Sequence, residues 1–266
     1  MIGRQLRAAL AIYHRDLQIF LSYRTLAFST AFSAVFSIAL FYYVSQLLSV
    51  RSFGSPDDYF AFVVVGLVIL AVLQSTLVLS ATVRAELVAG TFERVLLSPF
   101  GGVRGALSMM IFPIVQAIVL GIWTLALAAV LFHLSLHWAT VPLALPVAIL
   151  AALSFSAIAL LVTAVMIVFK QAPGIGVLIA GITLVSGFYF PTELLPSWIA
   201  WIAQVQPFTP AVELLRHLLA GLPMAEPAWV YLLKLGGFLV VLMPLGAWAL
   251  ARGIDISQRR GTIIEY

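Results

Sequence analysis

The sequence predicts an all-α polytopic membrane protein. It would have six transmembrane helices, an N-terminal interfacial helix, one amphipathic cytoplasmic helix and two short re-entrant external helices. The 266 residues are 63% hydrophobic and only 9% charged, whereas soluble domains carry about 25% charged residues. We expect one transmembrane domain over residues 1–266, with an interfacial helix over 1–24, a six-span core over 25–251 and a cytoplasmic tail over 252–266.

Six apolar segments are candidates for membrane spans, because a helix needs about 20 apolar residues to cross a bilayer. Most of the segments meet this length easily, and the fifth in chain order is barely long enough. We place the spans at residues 25–48, 59–82, 104–132, 141–169, 173–190 and 228–251.

The distribution of Lys and Arg predicts the orientation of the spans, because short cytoplasmic loops are enriched in both residues. Alternate connections place eleven of these residues on one side and three on the other. The richer side holds both termini and the connections after the second and fourth spans. Both termini are therefore expected in the cytoplasm. The connection around 133–141, which contains no Lys or Arg, is expected outside.

Composition also excludes several classes of function. The scattered Arg residues form no basic cluster with interleaved aromatics, so nucleic-acid binding is not indicated. The chain has no cysteine, which excludes disulfides, Cys-ligated zinc and thiol chemistry. No His, Asp and Glu cluster has metal-ligand spacing, and the early Arg4, Arg7, Arg15 and Arg24 argue against a cleavable signal peptide. We expect no catalytic residue and no metal in this chain.

Residues 4–22 have the pattern of an amphipathic helix that lies in the membrane surface. Arg and Gln fall largely away from its apolar stripe, and the Arg side chains of such a helix lie at the headgroups. The alternative is an ordinary cytosolic helix that leads into the first span. The stripe consists of Leu6, Leu10, Tyr13, Leu17 and Phe20.

The connection after the second span, "RAELVAGTFERVLLSPFGGVRG" over residues 84–105, is rich in charge. Helical spacing predicts a helix over about 84–100, which Ser98-Pro99 and the glycines after it would end. A connector with a solvated charged face is one interpretation. The other is a helix that docks into a groove of a cytoplasmic protein, since charges and an aromatic suit such a groove. The candidate docking residues are Arg84, Glu86, Val88, Phe92, Glu93 and Arg94.

The stretch "GFYFPTELLPSWIAWIAQVQPFTPAVELLRHLLAG", at residues 187–221, follows the fifth span. Its prolines predict two half-length helices joined by a proline elbow. A helix over 195–205 would reach roughly 16 Å, about half of the ~30 Å hydrocarbon core. The second helix would have Thr209 as its N-cap, Pro210 as its first residue and Gly221 as its C-cap. Both helices are expected to dip into the outer leaflet without crossing it.

Charged side chains on the second short helix are expected to pair. Glu213 can reach Arg216 or His217, which lie three and four residues later on the same face. An external loop that steadies the last two spans is one interpretation of the stretch, and an outer gate is the other. The candidate gate residues are Pro191, Trp198, Pro207, Thr209, Glu213 and Arg216.

These two stretches resemble motifs of the ABC type-2 membrane-subunit (permease) family. "GTFERVLLSPF" resembles the family's stretch after the second span, and the six-span order covers nearly the whole chain. One departure is Gln206-Pro207, where the family commonly has Asn-Pro, and it leaves the substrate subgroup open. The later stretch carries four features of the family. Gly187 and Phe190-Pro191 match its Gly/Phe-Pro turn, and Pro196 and Trp198 match its Pro before Trp. Pro207 and Thr209 match its Pro-x-Thr step, and Glu213 and Arg216 match the Glu and Arg on its short helix.

The resemblance implies the membrane half of an ATP-driven exporter in the inner (cytoplasmic) membrane of a bacterial cell. Two membrane subunits, expected to be a homodimer, would work with two cytoplasmic ABC ATPase subunits. Residues 84–100 would be the coupling helix in a cleft of the ATPase, which the N-terminal helix would also contact. The short external helices would close the outer end of the path between the protomers. ATP and Mg²⁺ would be bound by the ATPase, in agreement with the absence of a G-x-x-x-x-G-K-[ST] motif here.

Polar and aromatic side chains inside the spans are candidates for the translocation path. Most Ser and Thr in a span bond back to their own helix, whereas a Gln amide in lipid needs a partner or a wet cavity. Gln74 and Gln116 are therefore candidates. Phe36 and Tyr42, in the aromatic first span, suit an amphipathic or lipid-linked substrate, although helix packing explains the rings equally well.

Two other classes of function stay open. An intramembrane serine protease would need a G-x-S-x-G-like serine and a His in a neighbouring span, and the chain has no such motif. A secondary transporter would carry deep ionisable residues or an inverted repeat, and neither is evident. Glycolipid or polysaccharide, lipid, drug and antibiotic all remain open as substrates.

Overall fold

The computed structural model describes residues 2–47, 55–98, 101–170 and 174–260. Within these ranges the regular secondary structure is helical and no strand occurs, which confirms the all-α prediction. Predictions that concern Arg51 and Pro99 lie outside the described residues. The helices are α1 Ile2–Ser22, α2 Arg24–Leu47, α3 Pro56–Val88, α4 Phe92–Leu97, α5 Gly102–Met109, α6 Ile111–Phe132, α7 Val141–Phe169, α8 Ile175–Val185, a 3-10 helix Thr192–Leu194, α9 Ser197–Gln204, α10 Phe208–Ala220 and α11 Ala228–Arg259.

Four helical segments of the described chain are long and apolar enough to cross a membrane. They are α3, the consecutive pair α5 and α6, α7, and α11, and they correspond to the second, third, fourth and sixth predicted spans. Two shorter apolar segments, Phe32–Leu47 in α2 and Gly176–Val185 in α8, correspond to the first and fifth. A membrane protein with several apolar helices is therefore confirmed, and the number of six spans stays a prediction.

Helices α3 and α7 form the centre of the bundle, and α7 and α11 pack against each other along their length. Their backbones approach closely at two glycines of α11. A Cβ atom at Gly246 would lie 2.7 Å from the carbonyl oxygen of Ala157, and one at Gly253 would lie 3.1 Å from that of Ala164. Small residues allow this kind of contact between membrane helices, where packing rather than a hydrophobic driving force holds helices together.

Helix α10 lies inside the bundle, against α3, α7 and α11. The Phe208 ring at its start packs edge-on against Phe155 of α7, with 4.9 Å between the ring centres. Ala211, Val212 and Leu214 are at most 2% exposed. Burying such a face is the main source of stability for a short helix, so α10 belongs to the core and is not a surface loop.

The third predicted span, 104–132, contains a break. Helix α5 ends at Met109 and α6 begins at Ile111. Pro113 explains the break, because it has no N–H to donate to the carbonyl of Met109 and its ring crowds that carbonyl. The fourth predicted span matches α7 to the residue.

The fifth and sixth predicted spans differ from the structure in length. Helix α8 covers only Ile175–Val185, because the chain turns at Gly187, where φ is +82°. Helix α11 continues to Arg259, so most of the described part of the predicted tail is helical. Its last turns carry ion pairs from Arg259 to Asp255 at 3.0 Å and from Arg252 to Asp255 at 3.9 Å, which favour continuation of the helix.

Helix α1 lies beside α5 and α6. Tyr13 and Phe20 both pack on the ring of Phe112, at 6.0 and 5.7 Å between ring centres. Leu6 and Leu10 of the predicted apolar stripe are 61% and 55% exposed. The stripe therefore packs on the bundle through one part and leaves the other part uncovered by this chain.

Candidate functional site

The end of the bundle that holds α9 and α10, called the α10 end, is organised around the guanidinium of Arg216, which is 4% exposed. It donates three hydrogen bonds to main-chain carbonyls: Nε to Phe62 at 2.9 Å, Nη1 to Gly187 at 2.7 Å and Nη2 to Phe188 at 2.9 Å. One side chain thus joins α10 both to α3 and to the segment that follows α8. We call this arrangement the Arg216 latch.

Two glycines make room for the latch. Gly187 adopts φ +82°, a conformation that favours glycine. A Cβ atom at Gly66 of α3 would lie 2.2 Å from the Phe188 carbonyl oxygen and 2.8 Å from Nη2 of Arg216. The ring of Phe62 covers the guanidinium, with 3.3 Å between Cζ of Arg216 and the ring centre, which adds a cation–π contact.

Arg216 keeps its charge in this environment. Burial lowers its pKa to about 9, and the nearby Glu213 carboxylate opposes that shift. At neutral pH the guanidinium therefore remains protonated and keeps all of its donors. A buried charge is tolerated only when it is well hydrogen-bonded, and the three carbonyls supply those bonds.

Glu213 has other partners than the ones predicted. Its carboxylate accepts a hydrogen bond from the Tyr231 hydroxyl of α11 and one from the Thr192 hydroxyl at 3.4 Å. No ion pair of the described residues joins it to Arg216 or His217, so the predicted pairing on α10 is wrong. Helical spacing alone could not show that Arg216 turns towards the carbonyls of other segments.

The start of α10 also differs from the prediction. The helix begins at Phe208, after Pro207, two residues earlier than expected. Thr209 therefore lies in the first turn and is not the N-cap. Its hydroxyl donates to the Ser186 carbonyl at 3.4 Å and accepts from the Gln206 amide at 3.3 Å. Thr209 thus bonds to the segment that follows α8, which adds a second polar link beside the Arg216 latch.

The other end of α10 contacts the connection between α6 and α7. Gly221 caps the helix at φ +68°, as predicted, and a Cβ atom there would lie 2.6 Å from Nδ1 of His137. The backbone N–H of His137 donates to the Leu219 carbonyl at 2.9 Å, and the Thr140 hydroxyl donates to the Leu218 carbonyl at 2.5 Å. Both ends of α10 are therefore fixed to the bundle by hydrogen bonds.

A cavity of about 430 Å³ opens beside the Arg216 latch. Carboxylates of Asp58, Glu193 and Glu213 line it together with Arg216 and Pro191. The Arg216 latch therefore borders a cavity with an acid-rich lining at the α10 end of the bundle.

Helix α9, in contrast to α10, lies on the surface. Trp198 and Trp201 are 74% and 60% exposed, and the Trp201 indole donates to the Trp198 carbonyl at 2.9 Å. Such rings suit the interface between membrane and water. Two short helices thus occur in the predicted stretch, and their re-entrant placement in a membrane stays a prediction.

At the opposite end of α3, which we call the α4 end, Gly90 adopts φ +67° and ends α3 at Val88. Helix α4 then covers only Phe92–Leu97. The prediction of one separate helix over 84–100 is wrong, because its first residues continue the second span and a turn follows them. The glycine in this turn was visible in the sequence as a possible helix end.

The turn separates the predicted docking residues into buried and exposed ones. Phe92 is 1% exposed and packs in the core with Leu79 and Val83, so it anchors α4 to the bundle and does not face outward as expected. Glu93 is half-buried. The exposed charged and large apolar side chains around the turn are those of Arg84, Val88, Arg94 and Leu97.

Glu86, the remaining docking candidate, links α1 to the turn. Its Oε1 lies 3.1 Å from Nη1 of Arg15 on α1, and its other oxygen accepts a hydrogen bond from the Thr91 hydroxyl. Arg15 also pairs with Asp16 at 2.9 Å. The amphipathic α1 and the α3–α4 turn are therefore held together by polar contacts within this chain.

The candidate path residues lie on different parts of the bundle. Gln74 is exposed on α3, Gln116 is half-buried on α6, and Phe36 is 65% exposed on α2. Tyr42 instead packs inward against Phe132, with 4.8 Å between ring centres. The structure of one chain therefore does not bring these four residues together.

Most Ser and Thr hydroxyls inside the spans bond back to their own helix, as expected. Thr76 donates to the Leu73 carbonyl at 2.8 Å and Thr163 to the Ala159 carbonyl at 2.7 Å. Ser154 also reaches the Leu235 carbonyl of α11 at 3.0 Å. These hydroxyls contribute to helix packing rather than to a polar path.

The described residues contain no group of three or more His, Cys, Asp or Glu side chains that could hold a metal.

Comparison with known proteins identifies the family. The model of the family described as ABC-2 type transporter matches residues 8–220, which include both motif stretches almost entirely. The chain belongs to the ABC-2 type transporter family. Members of this family are membrane transport subunits, so this chain is one as well. A search of curated proteins found no match.

Sequence reasoning missed several residues of these two regions. Gly66 and Phe62 of the latch lie in a continuous apolar run, and only the glycine hinted at a close approach. Tyr231 and Arg15 meet their carboxylate partners through tertiary contacts that no local spacing predicts. Leu97 could have been found, because its position after a charged turn leaves it on the outer face of a short amphipathic helix.

Proposed function

We propose that this ABC-2 subunit is the membrane-spanning part of an ATP-driven exporter for an amphipathic or lipid-linked substrate, coupled to separate ATPase subunits. Members of the family typically work with ABC ATPase partners. The observation that carries the proposal is the uncovered surface at the α4 end. Val88 and Leu97 there are 61% and 87% exposed, beside the exposed Arg94.

This docking surface, formed by Arg84, Val88, Arg94 and Leu97, combines two Arg with two apolar side chains. Such a mixture fits a groove on another protein, where apolar contacts provide affinity and charges provide orientation. Buried Phe92 fixes α4 below it. A partner that moves α4 therefore pulls on the core of the bundle rather than on a loose loop.

Helix α3 connects the docking surface to the Arg216 latch. It runs without interruption for 33 residues from Pro56 to Val88, about 50 Å at 1.5 Å per residue. Phe62 near its start accepts the hydrogen bond from Arg216. We infer that a displacement caused by ATP binding at the α4 end reaches the α10 end through α3. ATP can drive this change only if it favours one arrangement of the transporter over the other.

The translocation path is proposed to lie between two copies of this membrane subunit. Phe36 of α2 and Val177 of α8 are 65% and 76% exposed, and Gln74 is exposed on α3. A second copy facing these helices would enclose a path lined by aromatic and apolar side chains with an amide. That chemistry suits an amphipathic or lipid-linked substrate. Helices α9 and α10 would then form its outer gate.

The docking surface can be tested with the double variant Arg94→Ala, Leu97→Ala. Both side chains are exposed, so the free energy of unfolding should change by less than about 0.5 kcal/mol per residue. We expect loss of co-purification with the ATPase encoded nearest to this gene, and loss of the ATP hydrolysis that the membrane subunit stimulates. The matched control is Leu194→Ala, a 58% exposed residue at the α10 end. Unchanged ATPase binding in the double variant would remove the docking role.

The gate is better tested at Glu213 than at Arg216, because Arg216 supports the fold. Glu213→Gln keeps an acceptor for the Tyr231 hydroxyl and removes one charge from the acid-rich cavity. We expect transport into vesicles to fall while ATP hydrolysis continues. Equal transport by the variant and the parent would return α9 and α10 to a supporting role.

A further inference from the structure

A second cavity, of about 410 Å³, lies between α3, α6, α7 and α10. Its lining contains no polar side chain; Val68 and Ile69 come from α3, Ile118 from α6, Ala148 from α7 and Leu215 from α10. A cavity lined only by apolar groups stays dry and binds apolar molecules. We refer to it as the apolar groove.

The apolar groove opens towards the surroundings of the bundle between two spanning helices. Ile122 of α6 and Leu145 of α7 both line it, and they are 60% and 47% exposed. At Gly121 α6 approaches α3 closely, because a Cβ atom there would lie 2.8 Å from Cγ1 of Val68, and this contact closes the inner side of the groove. Around helices of this length and hydropathy the surrounding medium is hydrocarbon, so lipid tails are the molecules that meet the opening.

The dimensions of the apolar groove match one leaflet. Along α7 its lining runs from Val141 to Ala151, which is about 15 Å at 1.5 Å per residue and half of the ~30 Å hydrocarbon core. Trp138, three residues before this lining, is 73% exposed. A Trp at that position suits the level of the lipid headgroups, so one acyl chain that starts there would end near the middle of the membrane.

The apolar groove is separate from the proposed translocation path. It receives no residue of α2 or α8. At 3.6 residues per turn, Gln74 lies about 120° and 160° around α3 from Val68 and Val72. Gln116 lies about 160° and 140° around α6 from Ile118 and Gly121. An exported molecule on the Gln faces would not enter the groove.

We infer that the apolar groove binds an acyl chain of a resident bilayer phospholipid, inserted from the leaflet at the α10 end. Its inner wall includes Leu215 and Leu219, which flank Arg216 by one and three residues. An acyl chain in the groove therefore contacts the same helix that carries the Arg216 latch. The bound lipid fills the space behind α10 and stabilises its position.

The inference can be tested by photolabelling of the full chain in nanodiscs made only of purified phosphatidylethanolamine with a diazirine in one acyl chain. We expect labels on the α6 and α7 residues of the apolar groove in the absence of any transport substrate. Ala148→Phe narrows the groove, and Ile122→Trp blocks its opening from an exposed position, so both should abolish this labelling. Ala126→Phe, an exposed position of α6 outside the groove, should leave it unchanged.

Thermal unfolding in detergent provides a second measurement. Added phospholipid should raise the midpoint of the parent and of Ala126→Phe, because a ligand of the folded state stabilises it. The rise should be lost in Ala148→Phe. Groove labelling that persists in both Ala148→Phe and Ile122→Trp would overturn the inference, and so would labelling that requires a cellular lipid extract. Equal phospholipid-dependent shifts in all three proteins would also contradict it.

Discussion

Helices α10 and α4 lie at opposite ends of α3 and are packed in opposite ways. Ten of the 13 residues of α10 are buried, whereas Phe92 is the one buried residue of the six in α4. The charged contacts follow the same division. Arg216 is 4% exposed and bonded to main-chain carbonyls, whereas the side chain of Arg15 is 42% exposed and paired with carboxylates.

The two ends of α3 differ in how far this chain covers its own surfaces. At the α10 end the chain pairs its own buried polar groups and buries most of the helix, so the short helix forms part of the fold. At the α4 end the chain provides an anchor and leaves the outer face uncovered. A partner is therefore expected at the α4 end, and function at the α10 end has to come from movement of a packed helix.

The largest expected effect comes from Arg216→Ala, which tests whether the α10 end is part of the fold. Three carbonyls lose their donor and a cavity remains, so the free energy of unfolding should fall by about 3–5 kcal/mol, as when one partner of a buried charged pair is removed. The measurement is the thermal unfolding midpoint of the protein in detergent. Arg252→Ala, whose side chain is 61% exposed, is the control and should change stability by less than about 0.5 kcal/mol. Equal midpoints for the two variants would show that Arg216 contributes no more to the fold than an exposed arginine does.

Gly66→Ala should have the next largest effect, because it acts on the latch without removing the charge. The added Cβ atom would lie 2.2 Å from the Phe188 carbonyl oxygen, and overpacking of this kind costs about 1–3 kcal/mol of stability. Gly237→Ala is the matched control, since it lies in the helix α11 with no atom within 4 Å of the new Cβ. The control should be neutral or stabilising by up to about 1 kcal/mol. If both variants unfold at the same temperature, the latch is looser than its geometry indicates.

The smallest effect is expected at the α4 end, in a double-mutant cycle with Arg15→Ala and Glu86→Ala. An ion pair with this exposure contributes about 0.2–1 kcal/mol, and the coupling should weaken further at high salt. Unfolding midpoints of the two single variants and the double variant give the coupling energy. A value as large as the effect of Arg216→Ala would show that both ends are fixed with similar strength.

Local patterns in the sequence predicted the elements of the fold better than their contacts. Helix α7 coincides with the predicted span 141–169, because an apolar run of that length has few alternatives. The separate helix over 84–100 failed, because residues 84–88 continue the preceding span and the conformation of Gly90 decides where α3 ends. The start of α10 was misplaced because Thr209 has a good N-cap residue type and uses its hydroxyl elsewhere.

The sequence identified important residues of the candidate site but not the atoms that they contact. Arg216 was identified as important, and its partners were not, because they are backbone carbonyls 28 to 154 positions away in the chain. Every residue has a backbone carbonyl, so the sequence does not show which of them accepts a hydrogen bond from a distant side chain. Phe92 was misjudged for a similar reason, since an amphipathic pattern does not say whether its apolar face meets the same chain or another one.

The contact between α7 and α11 has a mechanical consequence. At Gly246 and Gly253 the backbone of α11 lies directly against the backbone of α7, so the two helices have little room to shift against each other at these two points. Two helices in such close contact are expected to translate together. We therefore expect the pair to move as one unit in a transport cycle, with the changes of shape at α10 and at the outer helices α2 and α8.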